Sequence, residues 1–288
     1  MDYASSEPAD HGRHATGGGG RARSPALKVL ATRWCRGLIG LACFLLLAQA
    51  LASSGVLSRT FLPLASTVLA RSVGLAGSPH FLRDVVATLE AWAVGLAIAV
   101  AVAVPCGLLL GNVPGVSSAT RALVEFLRPI PVVVLIPLVA LLIGPGTQMN
   151  VTLVVYAAIW PVLVNTIYGL DDVDPLAKET LAAFGFGRLA VIRRVCLPSA
   201  APFILTGIRL ASSIAIIVSI AVGLVTGRID GNGIGAYIAD ATSSAPNTAV
   251  VLAAVLWAGV LGLATNTLIA WAGRLALPWY HGQFEESR

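Results

Sequence analysis

Five stretches of the sequence, 37–58, 91–120, 129–170, 210–227 and 241–273, contain no Asp, Glu, Lys, Arg or His. A helix at the surface of a water-soluble domain needs a polar face to meet solvent. A hydrocarbon layer reverses that rule: a helix needs about 20 consecutive apolar residues to cross it. Composition points the same way. The chain of 288 residues is 57% hydrophobic and 11% charged, where an ordinary soluble domain carries about 25% charged residues. The expected fold is therefore an all-α, polytopic membrane protein, with its charges marking the parts outside lipid.

Runs long enough to cross a bilayer fall at 38–57, 88–110, 130–147, 149–169, 202–226 and 249–273, which predicts six transmembrane helices. The third run is short and contains Pro131 and Pro137. Prolines kink a spanning helix and are tolerated where neighbouring helices cover the freed backbone groups. With the N-terminus inside, fifteen of the nineteen Lys and Arg residues lie on the cytoplasmic side, and Arg59, Arg71, Arg83 and Arg228 lie outside. That asymmetry places both termini in the cytoplasm of a multi-pass protein of the cell membrane. It also accounts for the net charge of +5 without nucleic acid. Trp34, Trp92, Trp160, Trp271 and Trp279 lie near span ends, where interfacial anchors belong. The expected organisation is a disordered cytoplasmic tail over 1–35, a six-helix transmembrane domain over 36–275 with a cytoplasmic segment at 170–199, and a cytoplasmic C-terminal tail over 276–288. A cleaved signal peptide is the alternative for the first run, but its basic n-region is long for that role.

The function classes narrow by what the residues can power. Proton-coupled carriers use ionisable groups inside the membrane as relays, and the five uncharged stretches supply none. Sodium coupling through backbone carbonyls stays open. The P-loop motif GxxxxGK[ST] needs a lysine followed by Ser or Thr, whereas Lys28 precedes Val29 and Lys178 precedes Glu179. Cys35, Cys43, Cys106 and Cys196 form no CxxC pair, and the four histidines form no cluster with metal-ligand spacing. No catalytic site, cofactor or metal is expected. Uphill transport by this chain requires a partner to supply the energy.

One segment between the fourth and fifth runs is charged and punctuated: KETLAAFGFGRLAVIRRVCLPSAAP, 178–202. Asp174 is a good N-cap, Pro175 suits the first helical position, and Gly185 is a natural stop. On a helical wheel Leu176, Ala177, Thr180, Leu181 and Phe184 share one side, opposite Lys178 and Glu179. A second short helix is expected from Arg188 to about Cys196, ended by Pro198 before the fifth span. An amphipathic, basic helix of this kind fits two settings equally, a lipid headgroup surface and a groove on a soluble partner.

The spacing from Glu179 through Gly185 to Val195, Leu197 and Pro198 resembles the cytoplasmic coupling motif of ATP-binding-cassette importer permeases, EAA, three residues, G, nine residues, I, x, LP. Thr180 and Leu181 replace the two alanines and Val195 the isoleucine. The segments FLRPIPVVVLIPLVALLIGPG (126–146), WPVLVNTIYGLDDVDPLAKET (160–180), LPSAAPFILTGIRLA (197–211) and GIGAYIADA (233–241, taken as the outer loop between spans five and six) are similar to the nitrate/sulfonate/taurine-type members. The resemblance covers roughly 60–275 and implies a type I importer permease. Such a chain pairs with a second copy or a homologue, two ATPase subunits and an extracytoplasmic solute-binding protein. It also implies an ATPase-coupling role for Leu176, Glu179, Thr180, Leu181, Phe184, Gly185, Arg188, Leu197 and Pro198. The chain departs from the family at three positions: Ala91, Gly223 and Asn266 stand where Arg, Glu and Asp are frequent. Tyr156, Asn165, Ser212 and Ser219 are polar groups within spans. They either join helices by hydrogen bonds or face the solute pathway. A secondary carrier or channel working without an ATPase, and a non-transporting membrane scaffold, are the rival readings.

Overall fold

The computed structural model describes residues 33–54, 63–112, 124–227, 232–243 and 247–277. Most of the N-terminal tail, the C-terminal tail from 278 onward and Trp279 lie outside the described residues. The chain divides into two units, Met1–Ala50 and Leu51–Arg288.

Helix α1, Arg33–Ser53, takes in the first apolar run as far as Ser53 and is built from strong helix formers, chiefly Leu and Ala. The second unit, which takes in the last residues of α1, continues with α2, Ala65–Ala76, followed by α3, Pro79–Asn112, α4, Val132–Ile143, and α5, Thr147–Asp171. After the short α6, Pro175–Ala183, comes α7, Arg188–Thr226. The chain closes with α8, Ile234–Ser243, and α9, Thr248–Ala276. No strand occurs among the described residues.

Among the described residues, α3, α5, α7 and α9 are long and apolar enough to cross a membrane. The third run behaves differently. Helix α4 has 12 residues and rises about 18 Å, well short of a hydrocarbon core of about 30 Å. It opens after Pro131 and stops at Gly144, whose φ is 80°. Two elements went unforeseen. Helix α2 lies in the predicted outer segment, and the stretch read as an outer loop, 233–241, is mostly the helix α8.

The core forms where α3, α5 and α7 meet, around Leu96, Ala99, Ala103, Leu153, Ala157, Ala158, Val162, Ala211 and Ala215. Small side chains dominate it. In lipid, helices gain little from burying apolar surface and associate through close van der Waals packing, which small residues permit. Ser212 and Ser219 on α7 add polar joints to this layer: Trp92 Nε1 on α3 donates to Ser212 Oγ at 3.1 Å, and Asn150 Nδ2 on α5 donates to Ser219 Oγ at 3.2 Å. Trp92 is thus a buried inter-helix contact, and not the interfacial anchor that its place near a span end suggested. A second cluster packs Leu75 of α2, Phe81 and Val85 of α3, Ile234 and Ile238 of α8, and Ala253, Ala254 and Leu261 of α9.

Candidate functional site: the coupling segment and the end of α5

Helix α6 is fixed at both ends by local chemistry. Leu176 N donates to Asp174 Oδ1 at 2.9 Å, and Pro175 occupies the first turn. At the other end Phe186 N donates to Leu181 O at 3.1 Å and Gly185 N to Ala182 O at 3.0 Å. These bonds form a Schellman motif. It requires a left-handed residue at Gly185, whose φ is 80°, a conformation only glycine adopts without strain. Lys178 Nζ donates to Leu170 O at 3.2 Å, tying α6 to the end of α5.

Helix α6 contains no buried residue. Leu176 is 66% exposed, Phe184 78% and Leu189 79%. Glu179, Thr180 and Arg188 are exposed beside them, and Leu181 is half-buried. Thr180 Oγ1 is turned back on Leu176 O at 2.7 Å. The Arg194 guanidinium lies 4.7 Å from the centre of the Phe186 ring. An apolar helix end is thus held in a fixed pose and left uncovered.

Pro198 does not end the second helix, as the sequence suggested. The helix runs unbroken from Arg188 to Thr226, with a π-helical stretch at Ile192–Cys196. Pro198 lacks an N–H and cannot close the ordinary bond to Arg194 O. Leu197 N bonds instead to Ile192 O, five residues back. Leu197 is half-buried and Pro198 exposed. Cys196 is buried with Leu170, Ala200 and Ile204, so the segment after α6 continues rigidly into the helix core.

The four polar span residues do not gather at one place. Tyr156 Oη donates to Leu127 O at 2.8 Å and its ring meets Trp160 edge-on. Asn165 Nδ2 donates to Pro161 O at 2.8 Å on its own helix. Ser212 and Ser219 are buried in the joints described above. None of the four lines the cavity at the start of α5, which is bounded by Ala87 and Ala91 of α3, Gly146 just before α5, Thr147, Met149 and Asn150 of α5, Val222, Gly223 and Thr226 of α7, and Asn232. Two of the positions that depart from the family pattern, Ala91 and Gly223, therefore come together on one cavity.

Gly223 has a packing reason. A Cβ there would lie 3.0 Å from Ala236 N and 3.2 Å from Gly235 Cα, so α8 occupies the space that a side chain would need. Helix α8 is held there by α3: Asp84 Oδ1 accepts from Gly233 N at 3.2 Å and Thr88 Oγ1 from Ile234 N at 3.0 Å. The two side chains cap α8 from another helix. Sequence reasoning passed over Asp84, Thr88 and Asn150. The signal available was their polarity at or near the starts of the apolar runs 88–110 and 149–169, with Asp84 and Thr88 one helical turn apart.

This architecture, several apolar helices with a capped, uncovered helix between two of them, is that of a multi-pass membrane protein. Residues 103–278 match the family described as binding-protein-dependent transport system inner membrane component, and the chain belongs to that family. It is 27% identical to the nitrate import permease protein NrtB of Leptolyngbya laminosa over 68% of each chain. It is also 27% identical to the bicarbonate transport system permease protein CmpB of Synechococcus elongatus, over 67% of this chain and 68% of that one. In fold it is similar to a chain of the MetNI methionine ABC transporter in an inward-facing conformation, with a TM-score of 0.58 and 20% identity, covering 68% of this chain and 94% of that one. The nitrate-type resemblance read from the sequence holds at the level of the family.

Proposed function

We propose that this chain forms the membrane pathway of an ATP-driven importer. It pairs with a second copy or a close homologue, two ATPase subunits dock on it from the cytoplasm, and an extracytoplasmic binding protein delivers a small solute of the nitrate, sulfonate or taurine kind. Both termini lie in the cytoplasm, as the Lys and Arg asymmetry favours. The chain itself hydrolyses nothing.

The observation that carries this reading is the exposed α6 with Leu176 and Phe184 at its two ends. A buried Phe removes about 150–250 Å² from water, worth a few kcal/mol at about 25 cal/mol per Å². Capping at both ends removes the entropy cost of ordering the helix on contact. Leu176, Glu179, Thr180, Leu181, Phe184 and Gly185 form the docking element. Arg188, Leu197 and Pro198 lie on the helix that carries its movement into the membrane. ATP binds the closed ATPase pair better than the open one, and that difference drives the shift toward the outward-open state.

The test is co-purification of the ATPase subunit with wild-type chain and with Glu179→Arg. The expected result is at least a tenfold loss of bound ATPase in the variant. The opposite outcome is retained ATPase binding, together with ion-gradient-driven accumulation of nitrate, bicarbonate or taurine by vesicles holding the chain alone. That result favours a secondary carrier.

A further inference from the structure

Helix α5 has 25 residues and is long and apolar enough to cross a membrane. Along it Tyr156 stands about 14 Å from the first residue and about 22 Å from the last, at about 1.5 Å per residue. The Tyr156 hydroxyl donates to Leu127 O at 2.8 Å, which holds Leu127 within one tyrosine's reach of the middle of the span. Helix α4 gives the same depth independently. It packs beside α5, and only residues 144–146 separate its end from the start of α5. Since α4 rises about 18 Å, its first residue, Val132, comes level with the middle of α5. The turn before α4 therefore lies inside the hydrocarbon layer, which is about 30 Å thick. It does not lie in the cytoplasmic loop that a run starting at 130 suggested.

Two features of this turn do not suit lipid. The first is its backbone. A helical turn at 124–127 closes with Arg128 N donating to Val124 O at 2.9 Å, and 128–131 are non-helical. Arg128, Pro129 and Pro131 are exposed. Irregular backbone at membrane depth occurs where protein buries it or where it lines water. The second is charge. Glu125 and Arg128 are both exposed, and among the described residues neither is in an ion pair. Charged side chains within the membrane are costly, face a partner or a water-filled cavity, and mark solute paths. Snorkelling to the interface serves residues near the ends of a span, and this turn is far from both ends of α5.

We propose that the turn at 124–131 lines a water-filled solute path near the middle of the membrane, where Arg128 selects the solute by binding a small oxyanion. The guanidinium is planar and permanently charged, and its paired N–H donors match two oxygens of one anion. Nitrate, bicarbonate and a sulfonate group each offer such a pair. Glu125, three residues earlier, makes the turn neutral as a whole until the anion arrives. The inference rests on the importer reading for how transport is driven, and not for where the turn lies.

The experiment uses the chain in complex with its ATPase, held in lipid nanodiscs so that both faces meet solution. Native cysteines are replaced by alanine, and single Glu125→Cys, Pro129→Cys or Leu263→Cys substitutions are introduced. Leu263 is the control, 69% exposed near the middle of α9. Labelling by an anionic and by a cationic methanethiosulfonate is followed without nucleotide and with ATP held unhydrolysed, and the faster state is compared. Positions 125 and 129 are expected to label at least tenfold faster than 263. At 129 the anionic reagent is expected to lead the cationic one at least threefold, a preference that Arg128→Lys keeps and Arg128→Gln removes. Nitrate, bicarbonate or methanesulfonate, each against gluconate at equal ionic strength, should slow labelling at 129 at least threefold, and not in Arg128→Gln. Labelling at 125 and 129 as slow as at 263 overturns the water-filled path, and the two reporters guard against misassembly of either variant. Fast labelling that none of the three anions slows overturns the role of Arg128. Absence of the ATPase from the purified complex overturns the importer reading instead, and labelling of the chain alone then still reports on the turn.

Discussion

A single carboxylate would not fit where Gly223 stands. Its neighbours are the backbone atoms of Gly235 and Ala236, which cannot rotate away as a side chain can. Gly223→Glu is therefore expected to push α8 off α7. It should lower the midpoint of thermal unfolding in detergent by several degrees, as overpacking costs of about 1–3 kcal/mol do. Ser219→Ala, which removes one inter-helix hydrogen bond of about 0.6 kcal/mol, should lower it by far less. Equal midpoints for wild type and Gly223→Glu would contradict the packing account. Gly223 shows where a one-dimensional reading stops. In sequence it is a missing charge near a span end, because nothing there reveals that residues 234–243 return to lie against it. Gly185 is the contrary case. A helix stop is a local property, so the residue was legible from its neighbours, and the positive φ and Schellman bonds followed.

Helices with a strong local signal were legible too. The runs at 88–110, 149–169, 202–226 and 249–273 all became helices that extend beyond the predicted bounds at one or both ends, since helix formation tolerates polar flanks that hydropathy excludes. The short elements α2 and α8 were not legible. Their stability comes from packing on α3 and α9 and not from their own sequence, since isolated helices of 10–12 residues are marginal. The continuity of α7 through Pro198 was missed for a similar reason. Proline forbids one hydrogen bond, but the ladder reconnects by a π turn when the flanking helix is held in place. At this scale the cap on α8 is the sharpest prediction. Asp84→Ala with Thr88→Val removes two tertiary hydrogen bonds of about 1 kcal/mol each. Amide exchange in 234–243 should then accelerate by at least tenfold, with little change in α5. Unchanged exchange in α8 would mean that apolar packing alone holds it.

Across the whole molecule, the charge pattern divides labour. The spans carry almost no charge, so they hold no proton relay, and the charged segment at 170–199 is where the proposed ATPase would act. Membership in the binding-protein-dependent family agrees with that division. The family was legible because the spacing from Glu179 through Gly185 to Leu197 and Pro198 is a local pattern, kept although Thr180 and Leu181 stand in place of alanines. The cavity beside Asn150 was not, because it is assembled from residues of α3, α5 and α7 that lie far apart in the chain. The account stands on α6 meeting a water-soluble motor, and the most direct test is a photo-crosslinking amino acid placed at Phe184 in the membrane-embedded chain, with one at Leu141 on the exposed face of α4 as the control. The predicted result is a crosslink from position 184, and not from 141, to a subunit whose peptides contain a P-loop, with mass spectrometry identifying the captured chain. Crosslinks from 184 to lipid alone, with the ATPase captured from neither position, would contradict it.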